Sequence, residues 1–457
     1  MAVAVNTALQ NLLGERFTTV DAVRQQHARD ASHHLPHSPQ AVAFPHSNDE
    51  ICQIVRLCAD QRVPVVPFGT GTAVEGGIVA THGGICVDLS QMNAILRVDN
   101  ADMDATVQSG VTRKQLNKHL DDLDSQLHFP VDPGADASLG GMAATRASGS
   151  AAVGYGTMRE NVLGLTAVLP DGRLVRSGGR ARKSAAGYDL THLLVGSEGT
   201  LGILCEVVVK LVKKPQAVAA AVCPFSSIDA AVAAVQDVMS HGIPMARIEL
   251  LDEIQMAAVN TYSQLDYEIA PTLFFEFHGS ATAVDEHAQA AEHIAQCHGA
   301  HQFRWATERA ARDRLWQARH DAYYASLALR PGSVGYVTDV CVPISQLASC
   351  IARAKEALKQ TTIPASLFGH VGDGNFHVVF LIEPGNATEL EEVRQLGQLF
   401  VEDALAVGGT CSGEHGIGLG KIDALEQELG QGIEVMRAIK RALDPHNIMN
   451  PGKVLRS

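Results

Sequence analysis

The sequence predicts an α+β protein of at least two domains. The chain has 457 residues, more than a single core of ordinary size usually holds. Up to about residue 215, short strands alternate with helices and Gly-rich turns. From residue 216 the order strand, helix, strand, helix is typical of an antiparallel sheet covered by helices. The pair Lys213-Lys214 before Pro215 marks the predicted boundary between these two regions.

Composition narrows the class of protein. Hydrophobic residues make up 46% and charged residues 19%, which is typical of a folded chain. The 36 basic and 50 acidic residues give a net charge of −14, which argues against a nucleic-acid binder. The nine cysteines form no CxxC, so no disulfide framework or iron–sulfur motif is predicted. No apolar run is long enough to span a membrane, and the N-terminus lacks a basic targeting segment, so the sequence predicts a cytoplasmic protein.

The first region begins with a helix and a polar lead-in over residues 1–37. The segment NDEICQIVRLCADQ has helical apolar spacing and acidic residues in its first turn. The runs PVVPF and GICVDLS read as buried strands on either side of a Gly-rich turn, which completes a βαβ order. Beyond residue 101, the runs DATVQSGVT, LTAVLPDGRLV and GILCEVVVKLV predict a mixed sheet.

The second region has longer elements. Predicted strands are AVAAAVCPF, MARIELL, PTLFFEFHG and SVGYVTDVCV, and predicted helices include SSIDAAVAAVQDVMSHG, residues 284–298 and ISQLASCIARAKEALKQ. Residues 307–330 are predicted to form one long helix that ends at Pro331-Gly332. The last stretch, residues 387–457, is predicted to be mostly helical. These elements predict an antiparallel sheet with helices on one face.

Gly-rich turns are the first chemical signal. PFGTGT follows a strand, so its backbone N–H groups could bind a phosphate, yet it is neither a Walker A loop nor a GxGxxG motif. The runs VDPGADASLGGMAA, ASG with GYGTMRENVLGL, and VGSEGTLGIL repeat the pattern. Small residues at four separated turns allow close backbone approach, which a long dinucleotide in extended form requires. The sequence therefore favours a dinucleotide site.

A histidine pair is the second signal. His370 and His377 stand at the two ends of HVGDGNFH, where a GDG turn between two strands lets them converge. Glu414 and His415 are adjacent in the Gly-rich run GTCSGEHG. Two imidazoles and one carboxylate are a common ligand set for Zn, Mn or Fe. A metal of this kind could chelate a 2-hydroxy acid, and a histidine has the pKa range of a base for the hydroxyl proton.

Arg319 is the third signal. It lies in LWQARHDAYY on the predicted long helix, with Trp316 and Tyr323 on the same helical face. A guanidinium is suited to bind a substrate carboxylate in a bidentate manner. An exposed or ion-paired arginine is the alternative interpretation.

These motifs resemble the FAD-binding domain of the vanillyl-alcohol oxidase (PCMH) type, and most of all the FAD-dependent D-2-hydroxyacid dehydrogenases of the cytochrome-linked D-lactate group. The resemblance implies a two-domain FAD-binding fold with a C-terminal antiparallel α+β cap. It places the pyrophosphate of non-covalently bound FAD on the PFGTGT turn. Elsewhere in the domain, Arg146 and Gly154 depart from the residues that are usual in the family. The implied FAD-binding residues are Phe68, Gly69, Thr70, Gly71, Thr72, Pro133, Gly134, Ser138, Gly140, Gly141, Ser148, Gly149, Gly156 and Ile203.

The same resemblance implies roles in the second half of the chain. His370, His377 and Glu414 match metal ligands for Zn or Mn, and His415 matches the catalytic base. The implied substrate-binding residues are Arg319, Asn375 and Asn450. The implied domains are a lead-in at 1–37, an FAD domain at 38–215, a cap at 216–440 and a return to the flavin at 441–457.

The implied reaction is oxidation of D-lactate or a similar D-2-hydroxy monocarboxylate to the 2-oxo acid. Electrons then pass to an external acceptor, which is a protein such as cytochrome c or a quinone. The resemblance also implies a homodimer and peripheral association with a membrane. The alternatives are a glycolate oxidase catalytic subunit, a D-2-hydroxyglutarate dehydrogenase, a flavin subunit without its own substrate site, and a metal hydrolase. Hydroxyglutarate-oxidising relatives carry a Lys at the position of Val337, which disfavours that alternative.

Overall fold

The computed structural model describes residues 2–456, which form two compact units. The first unit comprises the residues up to Ser148, Gly156–Lys214 and the residues from Glu414 onward, and the second comprises Gly149–Tyr155 and Pro215–Gly413. The predicted boundary at 215 lies next to this division. The other predicted boundary, at 440, differs from the division before Glu414, and residues 1–37 are part of the first unit rather than separate from it.

The first unit contains three sheets. Its strands are β1 (Phe17–Thr18), β2 (Ala41–Ala43), β3 (Val65–Phe68), β4 (Ile85–Asp88), β5 (Ile95–Asp99), β6 (Asp104–Gln108), β7 (Leu127–His128), β8 (Val162–Val168), β9 (Leu174–Gly178), β10 (Ile203–Lys210) and β11 (Val212–Lys213). One sheet has the order β1-β2-β4-β3, in which β2, β4 and β3 are parallel. The second is antiparallel with the order β5-β6-β10-β8-β9, and β11 pairs with β7.

The second unit is built on one large antiparallel sheet. Its strands are β12 (Ala217–Pro224), β13 (Arg247–Leu251), β14 (Thr272–Gly279), β15 (Arg304–Ala306), β16 (Val334–Val337), β17 (Val340–Cys341), β18 (Ala365–Gly369) and β19 (Asn375–Ile382). Their order is β15-β12-β14-β13-β18-β19-β16, and β17 also pairs with β19. This arrangement agrees with the antiparallel sheet that the sequence predicts for residues after 216.

Helices accompany both units. They are α1 (Ala2–Leu13), α2 (Asp21–Gln26), α3 (Asn48–Gln61), α4 (Arg113–Asp122), α5 (Leu139–Thr145), α6 (Ala152–Tyr155), α7 (Met158–Asn161), α8 (Leu190–Leu194), α9 (Ile228–Ser240), α10 (Glu253–Ser263), α11 (Ala281–Cys297), α12 (Arg309–His320), α13 (Ala322–Ala328), α14 (Leu347–Leu358), α15 (Ala387–Ala406), α16 (Ile422–Leu429) and α17 (Gly432–Leu443). Short 3₁₀ turns cover Gly14–Arg16 and Ile344–Gln346. Within the described residues, no helix combines the length and apolar character needed to cross a membrane.

Two predicted elements are divided in the structure. The prediction of one helix over 307–330 is wrong, because α12 ends at His320 and α13 begins at Ala322. The break falls at Asp321, whose carboxylate accepts hydrogen bonds from Ser263 at 2.5 Å and from Gln317 at 2.7 Å. The predicted strand SVGYVTDVCV is likewise divided into β16 and β17, with Thr338 and Asp339 between them.

A buried ion pair links helix α2 to the end of strand β4. The His27 Nε2–H donates to the Asp88 Oδ2 at 2.8 Å, and the His27 Nδ1 lies 2.8 Å from the Val23 carbonyl oxygen. Burial lowers the pKa of His27, but the hydrogen bonds to Asp88 and Val23 outweigh it and the pKa is raised. A histidine whose pKa is raised on folding stabilises the fold below its unfolded pKa, and this contribution is lost as the pH rises through the folded pKa.

We therefore expect the stabilising effect of His27 to depend on pH. The loss of unfolding free energy in His27→Gln should be larger at pH 6 than at pH 9, as measured by urea denaturation. The exposed Gln26 on α2 provides the control, since its side chain does not ionise and Gln26→Ala should show no such difference. An equal loss at both pH values for His27→Gln would contradict this interpretation of the pair.

Candidate active site

The predicted phosphate-binding turn begins where strand β3 ends at Phe68. Gly69 lies so close to Ser138 that a Cβ atom on Gly69 would meet the Ser138 Oγ at 2.4 Å. Ser138 is the N-cap of α5 and accepts a hydrogen bond from the Gly141 N–H at 3.3 Å. Gly71 has a φ of +69°, a conformation that favours glycine. The structure thus brings two of the predicted Gly-rich segments into direct contact.

The remaining predicted FAD residues lie on several elements. Gly140 is the second residue of α5 and lies against Ser109, where a Cβ on Gly140 would meet the serine Cβ at 2.4 Å. Ile203 is the buried first residue of β10. The loop before α5 contains Pro133 and Gly134. The segment Gly149–Tyr155 belongs to the second unit, and the residues on either side of it, Ser148 and Gly156, belong to the first. Thr70 is exposed, and Phe68 and Thr72 are half-buried.

Asn450 supplies a buried polar atom next to β3. Its backbone N–H donates to the Val65 carbonyl at 2.8 Å, and Met449 forms a parallel bridge with Val65. The Asn450 side-chain amide donates to the carbonyls of Gly77 and Glu198 at 2.8 and 2.7 Å, whereas its Oδ1 is buried without a hydrogen-bond partner in the described part of the chain. Buried acceptors are nearly always satisfied, so this atom, beside the close-packed glycine turn, fits a bound cofactor that donates an N–H.

Glu198 holds the loop that follows the predicted base. Its buried carboxylate accepts hydrogen bonds from the backbone N–H groups of Ile417 at 2.7 Å and Gly418 at 2.9 Å. Burial raises the pKa of Glu198, and these N–H groups oppose that effect. Gly416 has a φ of +82°, and a Cβ there would lie 2.9 Å from the Glu198 carboxylate. The GSEGTLG and EHGIG motifs are therefore joined by hydrogen bonds from the backbone of the second motif to the Glu198 carboxylate of the first.

His415 lies beside charged groups of the first unit. Its Nδ1 is 3.8 Å from the Glu75 Oε1, and the Lys421 ammonium is 3.1 Å from the same carboxylate oxygen. Glu75 is buried, with 5% of its surface exposed, and Glu414 Oε1 is 3.9 Å from the His415 Nε2. An imidazolium formed at His415 would have a carboxylate within reach, which suits a residue that gains a proton.

In the second unit, His370 and His377 converge as predicted. Their ring centroids are 5.5 Å apart and the rings are nearly perpendicular. His370 Nδ1 is 2.6 Å from the Glu249 carboxylate, and His377 Nδ1 is 3.1 Å from the Thr338 carbonyl oxygen. Because these oxygens only accept, each neutral ring carries its proton on Nδ1 and its lone pair on Nε2. Metal-binding histidines usually donate their other N–H to a carboxylate or carbonyl, so the pair fits a metal ligand role.

Asn375 stands between the two histidines and belongs to a buried network. Its Nδ2 donates to the Asp339 Oδ1 at 2.8 Å and to the Val340 carbonyl at 2.9 Å. Asp339 also accepts from the Ser412 hydroxyl at 2.9 Å, and its Oδ1 is 3.7 Å from the His377 Nδ1. The Asn375 Oδ1 is buried without a hydrogen-bond partner among residues 2–456. This oxygen fits the predicted role of a substrate contact, since it is an acceptor that a ligand could satisfy.

Arg319 is held by a carboxylate and a ring. Its Nε–H donates to the Glu249 Oε2 at 2.5 Å, and its guanidinium carbon lies 5.1 Å from the centroid of Phe368. A guanidinium has five N–H donors, and the contact with Glu249 uses only one of them. Arg319 therefore keeps the donors that bidentate binding of a carboxylate requires.

Sequence reasoning missed the acidic residues that support the site. Glu249, Asp339, Glu198 and Glu75 were assigned no role, although all four are buried. Two of the four had a signal, because Glu249 and Asp339 are charged residues within apolar strand patterns, MARIELL and TDVCVP. Buried charges are rarely tolerated without partners.

Gly71→Asp is expected to remove most of the bound FAD, because it adds a carboxylate and a strained side chain where phosphate is predicted to bind. FAD content per chain, measured from the absorbance of the purified protein, checks this result. Gly179→Asp is a matched control, since a Cβ at Gly179 meets no atom within 4 Å. Equal FAD content in the two variants would contradict the predicted role of the turn.

Comparison with known proteins identifies the fold and the cofactor. Residues 39–178 match the family described as "FAD binding domain", and residues 214–454 match "FAD linked oxidases, C-terminal domain". The solved structure of p-cresol methylhydroxylase superposes with a TM-score of 0.81 at 18% identity and covers 99% of this chain and 96% of that chain. The predicted two-domain FAD-binding fold is confirmed by these matches.

The curated relatives cover nearly the whole chain. A protein of Danio rerio named "Probable D-lactate dehydrogenase, mitochondrial" is 48% identical over 99% of this chain and 91% of its own length. The "D-lactate dehydrogenase [cytochrome], mitochondrial" of Arabidopsis thaliana is 43% identical over 98% of this chain and 79% of its own length. The "Glycolate oxidase subunit GlcD" of Bacillus subtilis is 35% identical over 96% and 94%.

These relatives overturn one expectation and support another. The prediction of a cytoplasmic protein is wrong, because the Danio rerio and Arabidopsis thaliana relatives are mitochondrial. That prediction rested on the lack of a recognisable targeting pattern, and such an absence does not determine location. The predictions that the protein is a flavoprotein and an oxidoreductase are confirmed. The chain belongs to the family of FAD-linked oxidases that contains these D-lactate dehydrogenases.

Proposed function

We propose that this protein oxidises D-lactate and similar D-2-hydroxy monocarboxylates to 2-oxo acids. The observation that carries the proposal is the 48% identity over 99% of the chain to a relative named as a D-lactate dehydrogenase. The site supports it, because Arg319 and the histidine pair offer a carboxylate binder and candidate metal ligands. The glycine turn after β3 would hold FAD without a covalent link, and the bound flavin would supply the acceptor for the hydride of the substrate α-carbon.

In this proposal, each chain residue has a defined task. The terminal N–H groups of Arg319 bind the substrate carboxylate, and Glu249 holds the Nε–H on the other side of the guanidinium at 2.5 Å. His415 accepts the hydroxyl proton on its imidazole, and Glu75 stabilises the resulting positive charge from 3.8 Å. Asn375 and Asn450 contribute their buried Oδ1 acceptors.

His370 and His377 provide two ligands for a divalent metal, Zn or Mn, and the family resemblance adds Glu414 as a third. Such a metal, when bound, acts as a Lewis acid that lowers the pKa of the substrate hydroxyl. Within the second unit, the Nδ1 contacts with Glu249 and the Thr338 carbonyl hold both rings in the tautomer that leaves the Nε2 lone pair for a cation.

A cytochrome is proposed as the electron acceptor, since relatives from Arabidopsis thaliana and Saccharomyces cerevisiae are named as cytochrome-linked. Oxidation of one D-lactate releases two electrons and two protons, and a cytochrome haem takes one electron. We therefore expect two molecules of cytochrome c to be reduced for each pyruvate formed. Pyruvate formation without any reduction of cytochrome c would exclude that acceptor.

Substrate size is expected to be limited by charge. A second carboxylate, as in D-2-hydroxyglutarate, would need a second cation, because burying it unpaired is costly. Strand β16 and the residues through Pro343 contain no Lys or Arg, and Val337 pairs with Val379 of β19. We expect kcat/KM to be highest for D-lactate and D-2-hydroxybutyrate and lowest for D-2-hydroxyglutarate.

Val337→Lys tests this argument directly. The variant should gain kcat/KM for D-2-hydroxyglutarate relative to D-lactate, whereas Val337→Met, which adds length without charge, should not. A wild-type enzyme that prefers D-2-hydroxyglutarate would favour the alternative function, and a preference for glycolate would favour the activity named for the Bacillus subtilis relative.

A further inference from the structure

We propose that Glu249 is a positioning residue that fixes the tautomer of His370 and the orientation of Arg319 at the same time. One buried carboxylate would thereby support both the metal ligand and the substrate-binding arginine. The inference rests on the proposed function of His370 and Arg319, and it assigns a role to a residue that touches neither the substrate nor the metal.

The position of Glu249 follows from the pairing of strands β13 and β18. Leu250 is the register partner of Gly369 and Leu251 of Phe368 in this antiparallel pair. One residue further along the same register, Glu249 comes opposite His370, which directly follows β18. Glu249 is fully buried, with 0% of its surface exposed, and its strand neighbours Ile248 and Leu250 are buried apolar residues. A carboxylate in such surroundings requires compensating partners.

Both carboxylate oxygens of Glu249 are occupied. Oε1 accepts from the His370 Nδ1–H at 2.6 Å, and Oε2 accepts from the Arg319 Nε–H at 2.5 Å. Because both contacts come from N–H donors, the ionised carboxylate, which only accepts hydrogen bonds, is the form that makes them.

The contact with His370 determines which ring nitrogen can bind a cation. A carboxylate only accepts hydrogen bonds, so it retains the proton on Nδ1 and keeps the lone pair on Nε2. An amide at position 249 could donate instead, and the ring would then shift its proton to Nε2, where it would block metal binding. Partners of this kind typically affect metal affinity by about 10- to 100-fold.

The contact with Arg319 determines where the guanidinium points. Glu249 holds the Nε edge while Phe368 covers one face, with the guanidinium carbon 5.1 Å from the ring centroid. These two contacts leave the two terminal nitrogens of Arg319 available to bind a carboxylate. Loss of the Glu249 contact should therefore raise KM for D-lactate as well as weaken metal binding.

Glu276 offers a matched control in the same sheet. It is a largely buried glutamate on the neighbouring strand β14, and its carboxylate also contacts a histidine and an arginine, His278 at 2.8 Å and Arg247 at 3.5 Å. Neither partner has a predicted role in the site. A general loss of stability from removing a buried charge should thus be similar in Glu249→Gln and Glu276→Gln.

The experiment measures Zn²⁺ binding to chelator-treated, FAD-containing protein by calorimetry, and KM for D-lactate after metal is restored. Glu249→Gln should bind Zn²⁺ about 10- to 100-fold more weakly and show a raised KM, Glu249→Asp should recover part of both, and Glu276→Gln should resemble the wild type. Wild-type affinity and KM in Glu249→Gln, or equal losses in Glu276→Gln, would overturn the inference. Failure of the proposed metal function would give a different result, because the wild type itself would bind no Zn²⁺ or His370→Ala would bind Zn²⁺ as tightly as the wild type. Either result would also exclude the tautomer role of Glu249.

Discussion

His415→Ala is expected to slow reduction of the bound flavin by D-lactate about 100-fold or more, as for the loss of a general base. The hydroxyl proton must leave as the hydride departs, and His415 is the imidazole that lies 3.8 Å from the buried Glu75 carboxylate. Stopped-flow absorbance of the flavin band under anaerobic conditions measures this rate directly. The amount of bound FAD should be unchanged.

His119→Ala serves as the control for this change. His119 is a half-exposed histidine on α4, so its removal should leave the rate of flavin reduction at the wild-type value. Rapid flavin reduction in His415→Ala would exclude His415 as the base. Partial recovery of the rate on addition of free imidazole would support the role, since it returns the missing proton acceptor.

Removal of the metal should abolish oxidation of D-lactate while FAD stays bound. The predicted ligands His370 and His377 lie in the second unit, whereas the glycine turn after β3 lies in the first, so the two groups should be lost independently. We expect chelator-treated enzyme and His377→Ala to lose activity by about 100-fold or more, because the Lewis acid contributes several kcal/mol to charge stabilisation.

Metal analysis and the flavin spectrum are the two measurements for this prediction. Added Zn²⁺ or Mn²⁺ should restore activity to the chelated wild type but not to His377→Ala. His298→Ala is the control, because His298 pairs with Asp237 at 2.8 Å, outside the predicted ligand set. Full activity in chelated enzyme that contains no metal would contradict the ligand role of the histidine pair.

Local patterns predicted most of the elements. Helix α3 has the bounds of its amphipathic sequence, and the GDG turn brought His370 and His377 together as expected. These features depend on short-range spacing, which the sequence displays. The glycine turns also carried a reliable signal, because only residues without a side chain allow approaches such as that of Gly69 to Ser138.

Contacts between distant residues could not be predicted in the same way. Glu249 and His370 are 121 positions apart, and only the pairing of β13 with β18 brings them together. Asp321, at the break between α12 and α13, accepts a hydrogen bond from Ser263, which is 58 positions away. The residues from Glu414 to 440 belong to the first unit because their backbone is bound by Glu198, more than 200 positions earlier. Tertiary contacts outweigh local propensity at all three places.

The most direct test of D-lactate oxidation is the visible spectrum of the purified protein under anaerobic conditions before and after addition of one substrate at a time. Oxidised flavin should bleach rapidly with D-lactate, more slowly with D-2-hydroxyglutarate and glycolate, and not with L-lactate, and one pyruvate should form for each flavin reduced. A spectrum that D-lactate leaves unchanged, or that D-2-hydroxyglutarate or glycolate bleaches faster, would contradict the proposed function.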